Sequence, residues 1–262
     1  MSEISVPAAR GETSGRAFKR TKFLLVYSSK GGVGKSSISM NLGATVSVTM
    51  APDRPANPPV AIVSIDEQNT PQDYVEAANK KGLRLPIDVY RFDRDPSQLI
   101  GLIGHYRLVV IDAGGHLKGN VPLTTALDLV NPETGRRLID GALVPMETGQ
   151  ESRKPTIRTC NLVLTPREIP FYVVINKAFP QAEADLRDAE AFIDEHGWDR
   201  PPSPIKHFRA YSKAATDGIT VPDFDRAYAR QGGMLDMMQL ASALGLHTAN
   251  AELGAATGAV VA

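Results

Sequence analysis

The residue types best suited to chemistry lie in the segment SSKGGVGKSS at positions 28–37. Its three glycines let the backbone curl so that successive N–H groups can point at phosphate oxygens. The lysine at position 35 could reach the β- and γ-phosphates of a nucleotide, and the hydroxyl of Ser36 could hold Mg²⁺. The segment therefore predicts a phosphate-binding loop that consists of Lys30, Gly31, Gly32, Val33, Gly34, Lys35, Ser36 and Ser37.

The elements on either side of this loop suit that role. An apolar, β-prone run, FLLVYS, precedes the loop at 23–28, and a helix-compatible stretch, KSSISMNLGATVSV, follows it at 35–48. A helix that begins at the loop would add the positive end of its dipole to the site. The alternative is a glycine-rich strand-to-helix turn without a ligand, but K-G-G-x-G-K-S rarely occurs by chance between a strand and a helix.

The rest of the chain alternates between short apolar runs and helix-compatible segments. Runs of consecutive apolar residues are typical of strands that are buried on both faces of a parallel sheet. Strands that alternate with helices predict an α/β fold with a doubly wound, mostly parallel sheet flanked by helices. The further strands are expected at 60–66, 86–90, 107–113, 141–146 and 171–176, and the helices between them at 70–82, 95–105, 121–130, 150–164 and 181–197.

The loop with its early lysine, K-G-G-V-G-K-S, resembles the deviant Walker A motif of ParA/MinD-type ATPases. The resemblance implies ATP and Mg²⁺ as cofactors and an ATP-bound homodimer. It also implies that Lys30 crosses to the phosphates held by the other subunit, whereas Lys35 is the lysine common to all P-loop proteins. A cation supplied from a second subunit stabilises charge on the transferring phosphoryl group.

A second motif, S-I-D-E-Q at 64–68, is similar to the family's D-x-D-P-Q. The match implies that Asp66 positions the attacking water and that Asp66 and Ser36 bind Mg²⁺, directly or through water. The implied catalytic set is Lys30, Lys35 and Asp66. Ser64 stands where the family has its first aspartate. From the residues alone, an aspartate that ends a strand and caps the next turn is the alternative.

Two later strands resemble further parts of the family's nucleotide site. LVVIDAGG at 108–115 is similar to the Walker B strand and the switch that follows it. This likeness implies that Asp112 accepts a hydrogen bond from Ser36 or from a Mg²⁺-bound water, and that Gly115 approaches the γ-phosphate. FYVVINK at 171–177 resembles the strand whose asparagine contacts adenine, which implies that role for Asn176; an asparagine that simply ends a strand is the alternative.

The segment PIKHFRAYSKAATDGITV at 204–221 is similar to a pattern near the family's C-terminus. Several members of the family use a surface near this segment to bind DNA. The resemblance therefore implies three candidate DNA-binding residues, Lys206, Arg209 and Lys213.

Composition limits the other possibilities. The chain has 262 residues, 42% of them hydrophobic, with 29 basic and 29 acidic residues, which argues against an obligate strong nucleic-acid binder. A single cysteine, Cys160, excludes an intramolecular disulfide and a paired-cysteine metal cluster, and fits a cytoplasmic protein. No apolar run is long enough to span a membrane. The C-terminal segment 231–262 has no Lys or Arg, so it does not predict a basic membrane-binding helix.

These patterns divide the chain into three segments. Residues 1–22 are predicted to form a flexible basic arm, residues 23–246 the ATPase domain, and residues 247–262 an Ala/Gly-rich tail. The leading hypothesis is a cytoplasmic ATPase of plasmid or chromosome partition, nucleoid-associated if it binds DNA. Its slow hydrolysis, stimulated by an adaptor protein, would return the dimer to monomers. The alternatives are an ATP-dependent positioning or regulatory switch that binds a protein and not DNA, and a P-loop kinase that acts on a small molecule.

Overall fold

The fold is given by a computed structural model that describes residues 18, 20–115, 119–228 and 232–246. Within these residues, six strands form one sheet in the order β3-β2-β4-β1-β5-β6, and every neighbouring pair is parallel. The strands are β1 Lys22–Val26, β2 Val60–Ser64, β3 Asp88–Arg91, β4 Leu108–Asp112, β5 Gly141–Met146 and β6 Phe171–Ile175.

Helices cover both faces of the sheet, so the predicted doubly wound α/β fold is confirmed. The described α-helices are α1 Lys35–Met50, α2 Thr70–Lys80, α3 Val121–Asp128, α4 Arg153–Thr159, α5 Glu183–Glu195, α6 Arg209–Asp217, α7 Val221–Tyr228 and α8 Gly233–Ala243. Shorter 3₁₀ turns span Pro96–Leu102, Gln150–Ser152 and Thr165–Arg167, and a π-turn spans Cys160–Leu164.

Successive residues of the central strands enter two separate cores, because side chains alternate between the faces of a sheet. In β1, Phe23 and Leu25 join the core beside α3 and α5, whereas Leu24 and Val26 join the core beside α1 and α8. All residues of β1, β2, β4 and β5 are buried. The consecutive apolar runs of the sequence therefore correspond to strands covered on both sides.

Helix α8 belongs to the second core through Met237, Leu240 and Ala241. Its apolar residues therefore pack inside the domain, while Leu235 and Met238 remain on its exposed side. In the part of the chain that the structure describes, no helix combines the length and the apolar character needed to cross a bilayer.

The ordered domain begins earlier than composition suggested. Residues 20–22 were assigned to the N-terminal arm, but β1 starts at Lys22 and the Thr21 hydroxyl donates to the carbonyl of Tyr106 (2.6 Å). The Phe18 N–H also donates to the Gly104 carbonyl (3.1 Å). These two contacts tie the backbone before β1 to the segment before β4. The remainder of the proposed arm, except Phe18, and the whole proposed tail at 247–262 lie outside the described residues.

Candidate functional site

The residues that the sequence analysis assigned to nucleotide and metal binding meet at one edge of the sheet. All strands are parallel, so their carboxyl ends share that edge, which is where open α/β sheets bind ligands. The phosphate loop follows β1, Asp66 follows β2, Asp112 ends β4, and Asn176 follows β6. Strand order places β1 between β4 and β5, so the loop lies at the centre of the site.

The loop between β1 and α1 depends on glycine at two positions. Gly32 and Gly34 have φ angles of 74° and 89°, in the left-handed region that side chains disfavour. A side chain at Gly34 would also overlap the amide of Asn176. Ser29, where the common P-loop motif has its first glycine, ties the loop to α4: its N–H donates to Thr159 Oγ1 (2.9 Å) and its hydroxyl to the Pro155 carbonyl (2.9 Å).

Lys35, the first residue of α1, folds back over the loop. Its Nζ donates to the carbonyl of Lys30 (3.1 Å), and burial lowers its pKa although Asp112 and Asp66 attract its charge. Gly115 faces the same opening, because a methyl group there would lie 3.4 Å from Lys35 Nζ and 3.5 Å from the N of Gly31. A phosphate in the loop would therefore meet Lys35 and the backbone at Gly115 together.

Asp112 is buried among hydroxyls. Its Oδ2 accepts a hydrogen bond from Ser36 (2.7 Å) and its Oδ1 from Ser39 (3.1 Å). Burial raises the pKa of Asp112 to about 6, although the two hydroxyls and the nearby Lys35 favour the ionised form. The Ser36–Asp112 contact is the one that the sequence motifs implied.

Asp66 lies opposite Gly114, which follows β4. A methyl group at Gly114 would come within 3.0 Å of Asp66 Oδ1, which also accepts a hydrogen bond from the Gln68 N–H (3.2 Å). The buried Ser64 hydroxyl faces the backbone of Asp66 at 3.4 Å instead of presenting a charge to the site. Carboxylate and hydroxyl oxygens are ligands that Mg²⁺ accepts together with phosphates and water, so this donor set fits Mg²⁺. Within the described residues, no cluster of three or more His, Cys, Asp or Glu side chains suggests another metal site.

A cavity of about 280 Å³ opens beside the loop. Asn176 lines it, and its amide donates to the carbonyl of Val33 (2.8 Å), so this side chain supports the loop as well as facing the place expected for a base. Sequence reasoning missed the aromatic wall formed by Tyr74, Phe208 and Tyr211. The only local signal was the spacing of Phe208 and Tyr211, which places one ring just before α6 and the other in its first turn.

The ammonium of Lys30 is held by other residues of the same chain. Its Nζ donates to Glu147 Oε2, Glu151 Oε1 and Ser152 Oγ, each at 2.9 Å. Burial alone would lower the pKa of Lys30, but the hydrogen bonds and charges of the two glutamates raise it overall. Sequence reasoning missed these partners; the only available signal is that Glu147 directly follows a strand.

The three DNA-binding candidates all have exposed side chains near the start of α6 or on it. Arg209 and Lys213 are four residues apart on α6 and so share one face. Lys206 lies 3.4 Å from Asp236 and 5.9 Å over the ring of Phe208.

Other residues of the segment 204–221, which surrounds these candidates, serve packing. Ala210 and Ala214 are buried, and Gly218 has a φ of 66° where α6 ends. A side chain at Gly218 would overlap the backbone of Ala78, so glycine permits the close approach of α6 to α2.

A parallel sheet whose central strand leads into this glycine-rich loop, lysine and serine–aspartate pair has the fold of a P-loop nucleotide-binding protein. No protein-family model matches the chain. A relative from Gloeobacter kilaueensis, "Maintenance of carboxysome distribution protein A", is 22% identical over 212 residues, which cover 80% of this chain and 88% of the relative.

Two solved structures show the same fold. An ATP complex of a McdA variant from Cyanothece matches with a TM-score of 0.62 at 14% identity, covering 86% of this chain and 96% of McdA. The MinC:MinD cell division complex of Aquifex aeolicus matches with a TM-score of 0.63 at 14% identity, covering 88% of this chain and 98% of that chain. The resemblance to ParA/MinD-type P-loop ATPases is thus confirmed at the level of the fold.

Proposed function

We propose that this chain is an ATPase that dimerises when it binds ATP and that acts as a positioning switch. The observation that carries the proposal is the convergence of the loop, Lys35 and the Ser36–Asp112 pair at one edge of the sheet. The fold it shares with McdA and MinD supports a role in positioning, as does its similarity to a protein named for carboxysome distribution.

The side chains suggest how the site would work. On ATP binding, Lys35 exchanges the Lys30 carbonyl for phosphate oxygens, and the loop N–H groups bind the same phosphates. Mg²⁺, when bound, neutralises phosphate charge. The Ser36 hydroxyl and the Asp112 carboxylate orient its ligands, and Asp66 orients the attacking water. Asn176 and the aromatic wall of the cavity receive the base.

Dimerisation would let Lys30 act on the nucleotide of the other subunit. A cation that arrives with the second subunit stabilises the charge of the transferring phosphoryl group only in the dimer. Hydrolysis removes the γ-phosphate that Lys30 contacts, so the dimer would dissociate. An adaptor protein that stimulates this step would set the lifetime of the dimer.

The first test is the oligomeric state of purified protein with a non-hydrolysable ATP analogue and Mg²⁺, measured by analytical ultracentrifugation. We expect a monomer that becomes a dimer. Lys30→Ala should raise the dimer dissociation constant by about 30-fold or more, because it removes a charged partner from a buried interface. Lys80→Ala, which truncates an exposed lysine on α2, is the matched control. A wild-type protein that stays monomeric with the analogue would contradict the proposal.

We further propose that the ATP-bound dimer binds DNA without sequence specificity, as a cytoplasmic, nucleoid-associated partition or positioning ATPase. The exposed face of α6 with Arg209 and Lys213 supports this. Each subunit would then contribute phosphate contacts, so the affinity should fall as salt rises.

The double charge reversal Arg209→Glu/Lys213→Glu should lower the affinity of the ATP-bound dimer for duplex DNA about tenfold or more and flatten its salt dependence. Lys80→Glu/Arg187→Glu changes the net charge equally on other helices and is the control. Binding is measured by fluorescence anisotropy across a salt series. A wild-type dimer that ignores DNA would instead favour a switch directed at a protein partner.

A further inference from the structure

Four charged side chains, Glu151, Lys30, Glu147 and Lys177, form a chain of ion pairs beside the phosphate loop, which we call the charged cluster. Glu147 accepts hydrogen bonds from two lysines, with Lys30 on Oε2 (2.9 Å) and Lys177 on Oε1 (2.7 Å). Lys177 Nζ also donates to the carbonyl of Gly32 (2.5 Å), and Glu151 makes the second carboxylate contact of Lys30. The loop is therefore tied at residues 30 and 32 to the same carboxylate.

The turn that carries the two glutamates is itself anchored. Gln150 Nε2 donates to Asp188 of α5 (3.2 Å), and the Arg153 guanidinium pairs with the same aspartate while lying 5.0 Å over the ring of Phe192. These contacts flank Glu151 on both sides. The backbone around Glu151 is therefore tied to α5, so Lys30 meets its carboxylate partners on an anchored turn.

The two carboxylates differ in burial, and the difference favours release of Lys30 from Glu151. The Glu147 side chain is 24% exposed and the Glu151 side chain 65% exposed. If Lys30 leaves, water can solvate Glu151, whereas Glu147 would be costly to leave without a cation. Lys177 already contacts Glu147, so the less exposed carboxylate keeps a counter-ion when Lys30 departs.

Resting on the dimerisation proposed above, we infer that Glu147, Glu151 and Lys177 are positioning residues for Lys30. The two glutamates hold its ammonium within its own subunit before ATP-driven dimerisation. When Lys30 crosses to the other subunit, Lys177 still pairs with Glu147 and keeps the loop tied through Gly32. The charged cluster thus sets how readily Lys30 becomes available to the partner subunit.

The contact by which Glu147 and Glu151 hold Lys30 is tested first, without nucleotide. The method is competitive acetylation of lysines with acetic anhydride, followed by peptide mass spectrometry. Glu147→Gln and Glu151→Gln should each raise the acetylation rate of Lys30, relative to Lys80, by about threefold or more. The reason is that the ion pairs raise the pKa of Lys30 and so deplete its reactive neutral form. Glu133→Gln, outside the charged cluster, should leave that ratio unchanged. An unchanged ratio in both Glu147→Gln and Glu151→Gln would overturn the inference that the glutamates hold Lys30.

The transfer of Lys30 from the two glutamates to the other subunit is tested by measuring dimer dissociation constants with the non-hydrolysable ATP analogue. Glu151→Gln should tighten the dimer several-fold, because it removes a contact that competes with dimerisation. Lys177→Met should weaken it, since Lys30 would then be the only cation left for Glu147, and Lys177→Arg should restore it. Adding Glu147→Gln to Lys177→Met should recover most of the loss, whereas a purely structural role would make the two losses add. A double variant as weak as Lys177→Met, or weaker, overturns the transfer.

The two measurements separate this inference from the proposed function. The acetylation contrast needs neither ATP nor a dimer. If the two glutamate variants acetylate Lys30 faster but the wild type never dimerises, the glutamates hold Lys30, whereas the proposed function and the transfer of Lys30 to a partner subunit are wrong. If the wild type dimerises but the variants acetylate Lys30 at the wild-type rate, the proposed function is supported and the glutamates do not hold Lys30.

Discussion

Replacing Lys35 with methionine should lower the rate of ATP hydrolysis by about 100-fold or more, which is the typical cost of removing one well-placed donor from a transition state. Lys35 is the buried cation at the opening of the loop, with its Nζ at 3.1 Å from the carbonyl of Lys30. That contact shows that the ammonium already reaches the loop interior. A phosphate bound there would replace the carbonyl as its acceptor.

The same substitution should leave the protein folded. Burial lowers the pKa of Lys35, so the folded state does not favour its charge, and methionine fills a similar volume without needing a partner. We expect a thermal midpoint within a few degrees of the wild type, together with loss of Mg²⁺·ATP affinity in calorimetry. Lys80→Met is the control for a lysine that lies on the surface. Full hydrolysis by Lys35→Met would contradict the assigned role.

Local pattern was enough to predict the strands and the loop. The strands are covered on both faces, so their apolar residues are consecutive and stand out in the sequence. The loop was predictable because a phosphate site made of backbone N–H groups needs glycine at fixed positions, here Gly32 and Gly34. Asp112 was found for the same reason, since it directly ends a buried strand.

The partners of Lys30 could not be predicted in this way. Glu147 and Glu151 lie more than 110 residues away along the chain and reach Lys30 only because β5 pairs with β1 in the sheet. Lys177 arrives from β6, which pairs with β5. A single glutamate or lysine after a strand has no pattern of its own, and strand order cannot be read from periodicity. The aromatic wall of the cavity is equally a product of tertiary packing.

Replacing Asp112 with asparagine should change the pH dependence of stability. The folded-state pKa of about 6 lies above the ordinary carboxyl value of about 3.9. A raised pKa means that this group stabilises the fold fully below its unfolded pKa, and that this contribution is lost as pH rises through the folded value. Between pH 4 and pH 8 the wild type should lose about 2 kcal/mol of unfolding free energy at this group. The asparagine variant has no carboxyl to titrate there and should not show this loss.

The measurement is urea unfolding of both proteins from pH 4 to pH 8, with the difference in unfolding free energy plotted against pH. Asp93→Asn is the matched control, because the hydrogen bonds from Arg91 lower the pKa of Asp93. Its stabilising effect is lost only below the ordinary carboxyl pKa, so its difference in unfolding free energy should be nearly flat from pH 4 to pH 8. A flat difference for Asp112→Asn would mean that Asp112 titrates as an ordinary carboxyl and that its burial is relieved in solution.

The same substitution should lower Mg²⁺-dependent hydrolysis about 10- to 100-fold, the usual effect of losing a group that orients metal ligands. An asparagine puts an amide N–H₂ in place of one carboxylate oxygen, so either Ser36 or Ser39 faces a donor where Asp112 offers an acceptor. A variant that is more stable than the wild type at pH 8 and yet slower at hydrolysis would show that the buried charge is retained for the nucleotide and costs the fold stability. A variant that loses stability at pH 8 and keeps full hydrolysis would instead give Asp112 a structural role.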